Sequence, residues 1–141
     1  MKNYELIEHT ADIGIKVKAK DLKELFKNVA LAMFDIITGE ILNTQYSILN
    51  TQEIIIKQKA ENLEELFINW LNELLSLSDV KEIIFSDFKI NKLNENNLEA
   101  VALGEDIKNY KINTEIKAAT YHELEIKRDN SGWKAQVIFD V

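Results

Sequence analysis

The chain has 141 residues with a formal net charge of −7; 46% of the residues are hydrophobic and 29% are charged. This composition indicates one soluble domain over residues 1–141, and the absence of cysteine excludes disulfides, thiolate catalysis and zinc–sulfur sites. Because no apolar run approaches the roughly 20 residues of a membrane span, and because an acidic chain disfavours direct RNA contact, we expect a cytoplasmic protein without membrane contact.

The spacing of apolar residues predicts two strands, a helix, a strand, a second helix and then four strands. Apolar residues that alternate with polar ones indicate strands, and apolar residues at every third or fourth position indicate helices. The strands are placed at 4–8, 12–19 and 53–59, then at two segments between 82 and 102, and finally at 115–127 and 133–141. Residues 40–52 and 104–113 are expected to form loops.

Both helices carry recognisable end signals. Asp21 is placed to cap the first helix, with Glu24 three residues later, and Gly39 is placed to end it. Asn62 begins the second helix, again with an acid, Glu65, three residues later. Each helix has a broad apolar face, so each should lie on a sheet. The predicted fold is α+β: a two-layer sandwich with two helices packed on one face of a mixed, mostly antiparallel sheet.

Two local irregularities can be placed in the later strands. The buried phase of the alternation switches after Phe85, which predicts a bulge near Ser86-Asp87. The polar segment 129–132, which ends in Gly132, predicts the turn that joins the last two strands.

Acidic residues mark both ends of the chain. Asp12 opens the second strand, and Asp140 stands next to the final residue, Val141. If the first and last strands lie close together, the two side-chain carboxylates and the terminal carboxylate converge. Such groups repel each other unless a cation such as Ca²⁺ or Mg²⁺ binds them. Taken singly, Asp12 is also explained as a turn acid and Asp140 as a solvated edge residue.

Three further residues are candidates for supporting roles. His9 could hold a carboxylate ligand through its ring N–H, or serve the structure alone. His122 shares the phase of Leu124 and Ile126, which predicts a partly buried histidine with a main-chain partner; a general-base role is the alternative. Lys117 could neutralise the acids, contact a nucleotide phosphate or contact a protein partner, or it could be a solvated strand lysine.

Three segments of the chain together resemble the archease family. They are His9–Gly14 (HTADIG), Ile116–His122 (IKAATYH) and the closing Phe139–Val141. The resemblance spans essentially the full length and includes the first-helix start Asp21–Phe26 and the run Trp70–Leu75. Archeases assist the RtcB-type RNA ligase in tRNA splicing and repair.

The resemblance implies a protein cofactor rather than an enzyme. Such a cofactor promotes the metal-dependent guanylylation of the ligase and permits multiple turnovers. By motif position, the family's metal ligands fall on Asp12, Asp140 and the main-chain carboxylate or carbonyl of Val141. The resemblance also implies Ca²⁺ in the isolated protein, with Mg²⁺ or Mn²⁺ as alternatives in the cell. The family often has a histidine where this chain has Asn109-Tyr110, so no histidine is assigned as a direct ligand.

Two other functions remain open. The first is an independent metal-dependent hydrolase in which Asp12 and Asp140 bind the metal and His122 acts as the base; turnover without a ligase would identify it. The second is an acidic adaptor that binds a basic protein surface and uses the ion only for stability. In the adaptor, exchanging the two aspartates for asparagine would lower the melting temperature in calcium and leave ligase stimulation intact.

Overall fold

The computed structural model describes residues 4–8, 12–39 and 51–141. The described elements follow the order that the sequence predicts, and most of the predicted loop 40–52 lies outside the described residues. The elements are β1 (Tyr4–Glu8), β2 (Asp12–Ala19), α1 (Leu22–Thr38), β3 (Gln52–Lys59), α2 (Leu63–Lys81), β4 (Ile83–Leu93), β5 (Asn97–Asp106), β6 (Ala118–Asp129) and β7 (Gly132–Asp140). A short 3-10 turn, Ile107–Asn109, follows β5.

The described strands form two sheets, each paired antiparallel throughout. One sheet has the order β1-β2-β7-β6 and the other has the order β3-β5-β4. The α+β class is confirmed, but two sheets stand in place of the single mixed sheet that we expected. The reason lies in the helical connections. Helix α1 leads from one sheet to the other, and α2 joins β3 to β4, which are separated by β5. Neither helix therefore places two parallel strands side by side.

The helix ends form as the sequence predicts. The Asp21 side chain accepts a hydrogen bond from the backbone N of Glu24 at 2.8 Å, and the Asn62 side chain accepts one from Glu65 at the same distance. These bonds satisfy backbone donors that have no partner within the helix. Gly39 ends α1 in the left-handed conformation, with φ of 83°. Within the described ranges, neither helix has the length and apolar character needed to cross a membrane.

One hydrophobic core joins both helices to both sheets. Trp70 of α2 is fully buried, and its Nε1 donates a hydrogen bond to the main-chain oxygen of Phe26 in α1 at 3.0 Å. Phe26 packs edge-to-face on Phe67, and Trp70 packs in the same manner on Phe88 of β4. Trp70 therefore fixes the two helices to each other and to the three-stranded sheet.

The turn between β6 and β7 and the bulge in β4 are both confirmed. Asp129 and Gly132 pair across the turn, and the Asp129 side chain accepts a hydrogen bond from the backbone N of Ser131 at 2.9 Å. Gly132 has φ of 134°, and a Cβ there would lie 2.3 Å from the main-chain oxygen of Ala19. Only glycine fits this close approach. The register of β4 against β5 shifts between residues 85 and 87.

Tyr4 links β1 to α1 through a buried acid. Its hydroxyl donates to Oδ2 of Asp35 at 2.6 Å, and Asp35 is only 3% exposed. Burial, together with the hydrogen bond and the negative charge of Asp35, raises the pKa of Tyr4 well above its ordinary value of about 10. The folded state therefore holds this proton more tightly than the unfolded state does. The resulting stability is present below about pH 10 and falls as the pH rises further.

We expect the wild-type protein to lose free energy of unfolding more steeply than Tyr4→Phe as the pH rises from about 8 to about 11. Phenylalanine keeps the ring but has no proton to lose. Urea unfolding at several pH values measures the two slopes. Tyr121→Phe serves as the control because Tyr121 is mostly exposed, and it should follow the wild-type slope. Equal slopes for wild type and Tyr4→Phe would contradict this account of Tyr4.

Candidate metal centre

Asp12 and Asp140 lie directly opposite each other on neighbouring strands. The register of β2 against β7 pairs these two residues at the end of the sheet. Residues paired directly across an antiparallel ladder share a face, with Cβ atoms about 4.5–5.5 Å apart. The predicted meeting of the two acids is therefore confirmed, and both side chains project from the same side of the sheet.

That side is the outer face of the four-stranded sheet, which we define as the face turned away from the core. Ile15 and Val17 of β2 point into the core and are buried, whereas Asp12 and Lys16 alternate onto the opposite side. Asp12 is partly buried and Asp140 is exposed. A solvated ion or a partner molecule can therefore reach the pair.

Gly14 shapes the outer face next to the acids. It is the next outward position after Asp12 on β2, and it pairs with Ile138. A Cβ at Gly14 would lie 2.7 Å from Cδ1 of Ile138 and 3.1 Å from Cβ of Ile7. The glycine of the first motif therefore leaves the space into which Ile138 packs beside the acid pair.

The strand on the other side holds the main chain of Asp140 in place. Ala118 of β6 is its partner in the ladder, and the backbone N of Lys117 donates to the main-chain oxygen of Asp140 at 2.8 Å. Ala118 places only a methyl group beside the Asp140 carboxylate. Val141 follows directly and is 36% exposed.

The chemistry of this donor set fits a hard divalent cation. Like charges directly opposite each other destabilise a sheet, and carboxylates are hard oxygen ligands suited to Ca²⁺, Mg²⁺ and Mn²⁺. No group of three or more metal-binding side chains occurs in the described part of the chain. Ca²⁺ takes about 6–8 oxygen ligands. An ion at Asp12 and Asp140 would therefore also need main-chain oxygens, such as that of Val141, and water.

Asn72 anchors the strand beside the acids, a role that the sequence analysis missed. Its side-chain N donates to the main-chain oxygen of Ala119 at 3.1 Å, and its side-chain O accepts from the backbone N of Ala119 at 2.8 Å. Because β6 is the last strand in its sheet, this amide takes the place of a neighbouring strand. An amide residue within the apolar run Trp70–Leu75 was the signal in the sequence.

We expect Asn72→Ala to lower the free energy of unfolding by about 1–3 kcal/mol, because both backbone groups of Ala119 lose their partner. Asn72→Asp keeps the hydrogen-bond acceptor but not the donor. Its free energy of unfolding should lie between those of the wild type and Asn72→Ala. Urea unfolding measures each change, with Ser76→Ala on the exposed face of the same helix as the control. If Asn72→Ala and Ser76→Ala unfold at the same urea concentration, the two hydrogen bonds between Asn72 and Ala119 contribute no stability.

His122 is exposed, so the prediction of a partly buried histidine is wrong. The cause is a shift in register of β6 between Thr120 and Glu125, which interrupts the alternation that placed His122 in a buried phase. Glu123 adopts a left-handed backbone conformation within this bulge, with φ of 52°. Its main-chain oxygen accepts a hydrogen bond from the side chain of Gln136 at 3.0 Å, which holds the bulge against β7.

Of the two other residues with proposed supporting roles, the structure describes Lys117 but not His9. Lys117 is exposed and stands just before β6, next in the chain to Ala118. It is therefore near the acid pair and open to a partner. His9 lies outside the described residues, and its predicted role remains a prediction.

A row of three lysines crosses the opposite end of the outer face. Lys18, Lys134 and Lys127 lie directly opposite one another across β2, β7 and β6. This row lies six residues along β2 from Asp12, roughly 20 Å at about 3.3 Å per residue. Lys134 lies 3.0 Å from Asp129, and its hydrogen bond lowers the pKa of that carboxyl to about 2. Acids offset two of these lysines, because Lys127 in turn lies 3.7 Å from Glu125.

In the described ranges, two helices pack on two antiparallel sheets, and a pair of acids faces each other at the end of one sheet. This arrangement defines a small α+β protein. The model of the Archease protein family (MTH1598/TM1083) matches residues 4–141. The chain belongs to the archease family.

Individual relatives are similar in sequence over nearly the whole length of this chain. The protein archease of Methanosarcina barkeri is 44% identical over 146 residues, covering 99% of this chain and 97% of its own. That of Pyrococcus furiosus is 39% identical over 148 residues and covers 100% of both chains.

Two solved structures share the fold. Methanobacterium thermoautotrophicum protein 1598 has a TM-score of 0.77 and 34% identity, with 100% of both chains covered. The Thermotoga maritima protein described as "an archease, possible chaperone" has a TM-score of 0.61 and 28% identity, covering 96% of this chain and 94% of its own.

Proposed function

We propose that this chain is a protein cofactor of an RtcB-type RNA ligase in tRNA splicing and RNA repair, and that it is not itself the catalyst. It promotes the metal-dependent guanylylation of the ligase and lets each ligase molecule turn over repeatedly. Membership of the archease family supports this proposal. The observation that carries it is the pairing of Asp12 with Asp140 on an accessible face.

Asp12, Asp140 and a main-chain oxygen of Val141 are the groups that would hold the divalent cation. We propose Ca²⁺ as the ion in the isolated protein, with Mg²⁺ or Mn²⁺ as the alternatives in the cell. When bound, such a cation supplies positive charge that can offset the negative charge of phosphate groups.

The residues around the acids support the proposed cation binding in three ways. The hydrogen bond from Lys117 N to Asp140 O fixes the backbone that carries one carboxylate. Ala118, the partner of Asp140 in the ladder, adds only a methyl group beside that carboxylate, and Asn72 holds the adjacent strand in place. The sheet is therefore a rigid support for the two acids, and rigid supports lose little entropy when a partner docks.

A guanylylation assay tests the proposal. An RtcB-type ligase, GTP and a range of Mg²⁺, Mn²⁺ or Ca²⁺ concentrations are combined with and without this protein, and ligase labelling and RNA joining are followed. We expect faster labelling and several ligation events per ligase molecule when the protein is present. Identical labelling with and without it at every metal concentration would overturn the proposal. Hydrolysis of GTP or RNA by the protein alone would support the hydrolase instead.

A further inference from the structure

A groove runs between the C-terminal half of α2 and the segment from residue 107 to residue 118. Its volume is about 620 Å³, and its apolar lining includes Ile37, Leu75, Ile107 and Ile112. Ile112 is 44% exposed although it is a large apolar residue. Ile37 is buried, and Leu75 and Ile107 are partly buried against the core, so Ile112 is the exposed apolar side chain of the lining. An exposed apolar side chain in a concave surface is a candidate contact for another molecule.

The wall of the groove is held in place without a regular helix or strand. The backbone N atoms of Asn113 and Thr114 both donate to the main-chain oxygen of Ile37, at 2.7 and 3.1 Å. Further on, Lys117 N bonds to Asp140 O. Because the segment is tied to α1 and to β7, a ligand can bind without first ordering this wall.

The rim of the groove is acidic. Asp79 and Glu82, at the end of α2, line one side, and Glu115 lines the other. Lys117 is the cation that the same lining contains. Among the described residues, none of the three acids takes part in an ion pair. Three carboxylates around an apolar floor favour a ligand with apolar side chains flanked by positive charges.

One end of the groove lies beside the strand that carries Asp140. Lys117 and Ala118 line its end, and they flank Asp140 through a backbone hydrogen bond and a strand pairing. A segment that lies along the groove therefore ends beside the main chain of Asp140.

We propose that this groove binds a basic, amphipathic segment of the protein partner. Apolar side chains of that segment pack on Leu75 and Ile112, and its lysine or arginine side chains pair with Asp79 and Glu115. Amphipathic segments in apolar grooves are a common mode of protein recognition. The identification of the partner as the ligase rests on the proposed function. Docking here would place the partner next to the strand that carries Asp140.

Binding of the purified ligase by four variants and the wild type tests the groove. Ile112→Glu and Glu115→Lys alter the apolar floor and the acidic rim. Their matched controls are Val80→Glu, at an apolar position of α2 that is 77% exposed outside the groove, and Glu95→Lys, in the exposed turn between β4 and β5. We expect each groove variant to weaken binding at least about tenfold, or roughly 1.4 kcal/mol, and each control to stay near the wild-type affinity. Added salt should also weaken wild-type binding.

The outcomes separate the groove from the proposed function. Thermal melting first establishes that each variant is folded. If the wild type stimulates guanylylation and the groove variants bind like their controls, the groove proposal is wrong and the proposed function stands. If the groove variants stimulate fully once their concentration is raised, the groove provides affinity, as we propose. If the wild type neither binds nor stimulates the ligase, both fail. If the groove variants change self-association by ultracentrifugation instead of ligase binding, the groove is a contact between copies of this chain.

Discussion

Asp140→Asn is expected to abolish stimulation of the ligase while leaving the protein folded. Even changes beside metal ligands often cost 10–100-fold in affinity, so loss of a carboxylate ligand should weaken cation binding by about 100-fold or more. The stability of the variant should depend on calcium in a characteristic way. In EDTA it should melt at or above the wild-type temperature, because repulsion between Asp12 and Asp140 is relieved. In calcium the wild type gains stability by binding the ion and the variant does not.

Thermal melting and guanylylation measured on the same samples check this result. Glu95→Gln is the control, because it removes one negative charge from the turn between β4 and β5 and should stimulate like the wild type. Normal stimulation by Asp140→Asn at every metal concentration would remove the carboxylate from the mechanism. If calcium stabilises only the wild type while both proteins stimulate equally, the ion is structural and the adaptor is the better description.

Trp70→Ala is expected to cost about 3–5 kcal/mol in the free energy of unfolding, the largest stability change we anticipate. Trp70 is fully buried between α1, α2 and β4, and alanine would leave a large cavity among these elements. The main-chain oxygen of Phe26 would also lose the hydrogen bond from the indole N–H. Both effects act at the junction that joins the helices to the three-stranded sheet.

Urea unfolding followed by circular dichroism measures this loss. Trp70→Phe keeps much of the ring volume and removes the donor, so it should show a smaller loss of about 1–3 kcal/mol. Trp133→Phe is the control for exchanging a tryptophan, since Trp133 is only partly buried. A loss below about 1 kcal/mol for Trp70→Ala would contradict the described packing.

Features determined by neighbouring residues could be predicted from the sequence. The helix caps at Asp21 and Asn62, the left-handed stop at Gly39 and the turn at 129–132 each involve only a few consecutive positions. The chemistry of each type of residue decides these features locally, so no knowledge of the fold was required.

The division into two sheets could not be predicted in the same way. Alternation shows which side of a strand is buried but not which strand lies next to it. The bulge in β6 shows that alternation alone also cannot predict the burial of every single residue. The bond from Gln136 to Glu123 comes from another strand, and the bulge exposes His122 despite its apparent phase.

The acid pair was predictable and its surroundings were not. Asp12 and Asp140 meet because each stands at an end of a strand, and those strands are neighbours in one sheet. The contacts of Asn72 and the groove beside α2 depend instead on how α2 packs against β6 and against the segment after residue 107. In the sequence, much of that segment appeared only as a polar loop.

Calorimetric titration of the isolated protein with calcium is the most direct test of whether Asp12 and Asp140 bind one cation together. Wild-type protein and Asp12→Asn are titrated without any ligase, after both have been shown to be folded. We predict that the wild type binds one calcium ion per chain and that Asp12→Asn shows no measurable binding. Binding of the same number of ions with the same affinity by both proteins would show that the paired carboxylates do not hold a cation.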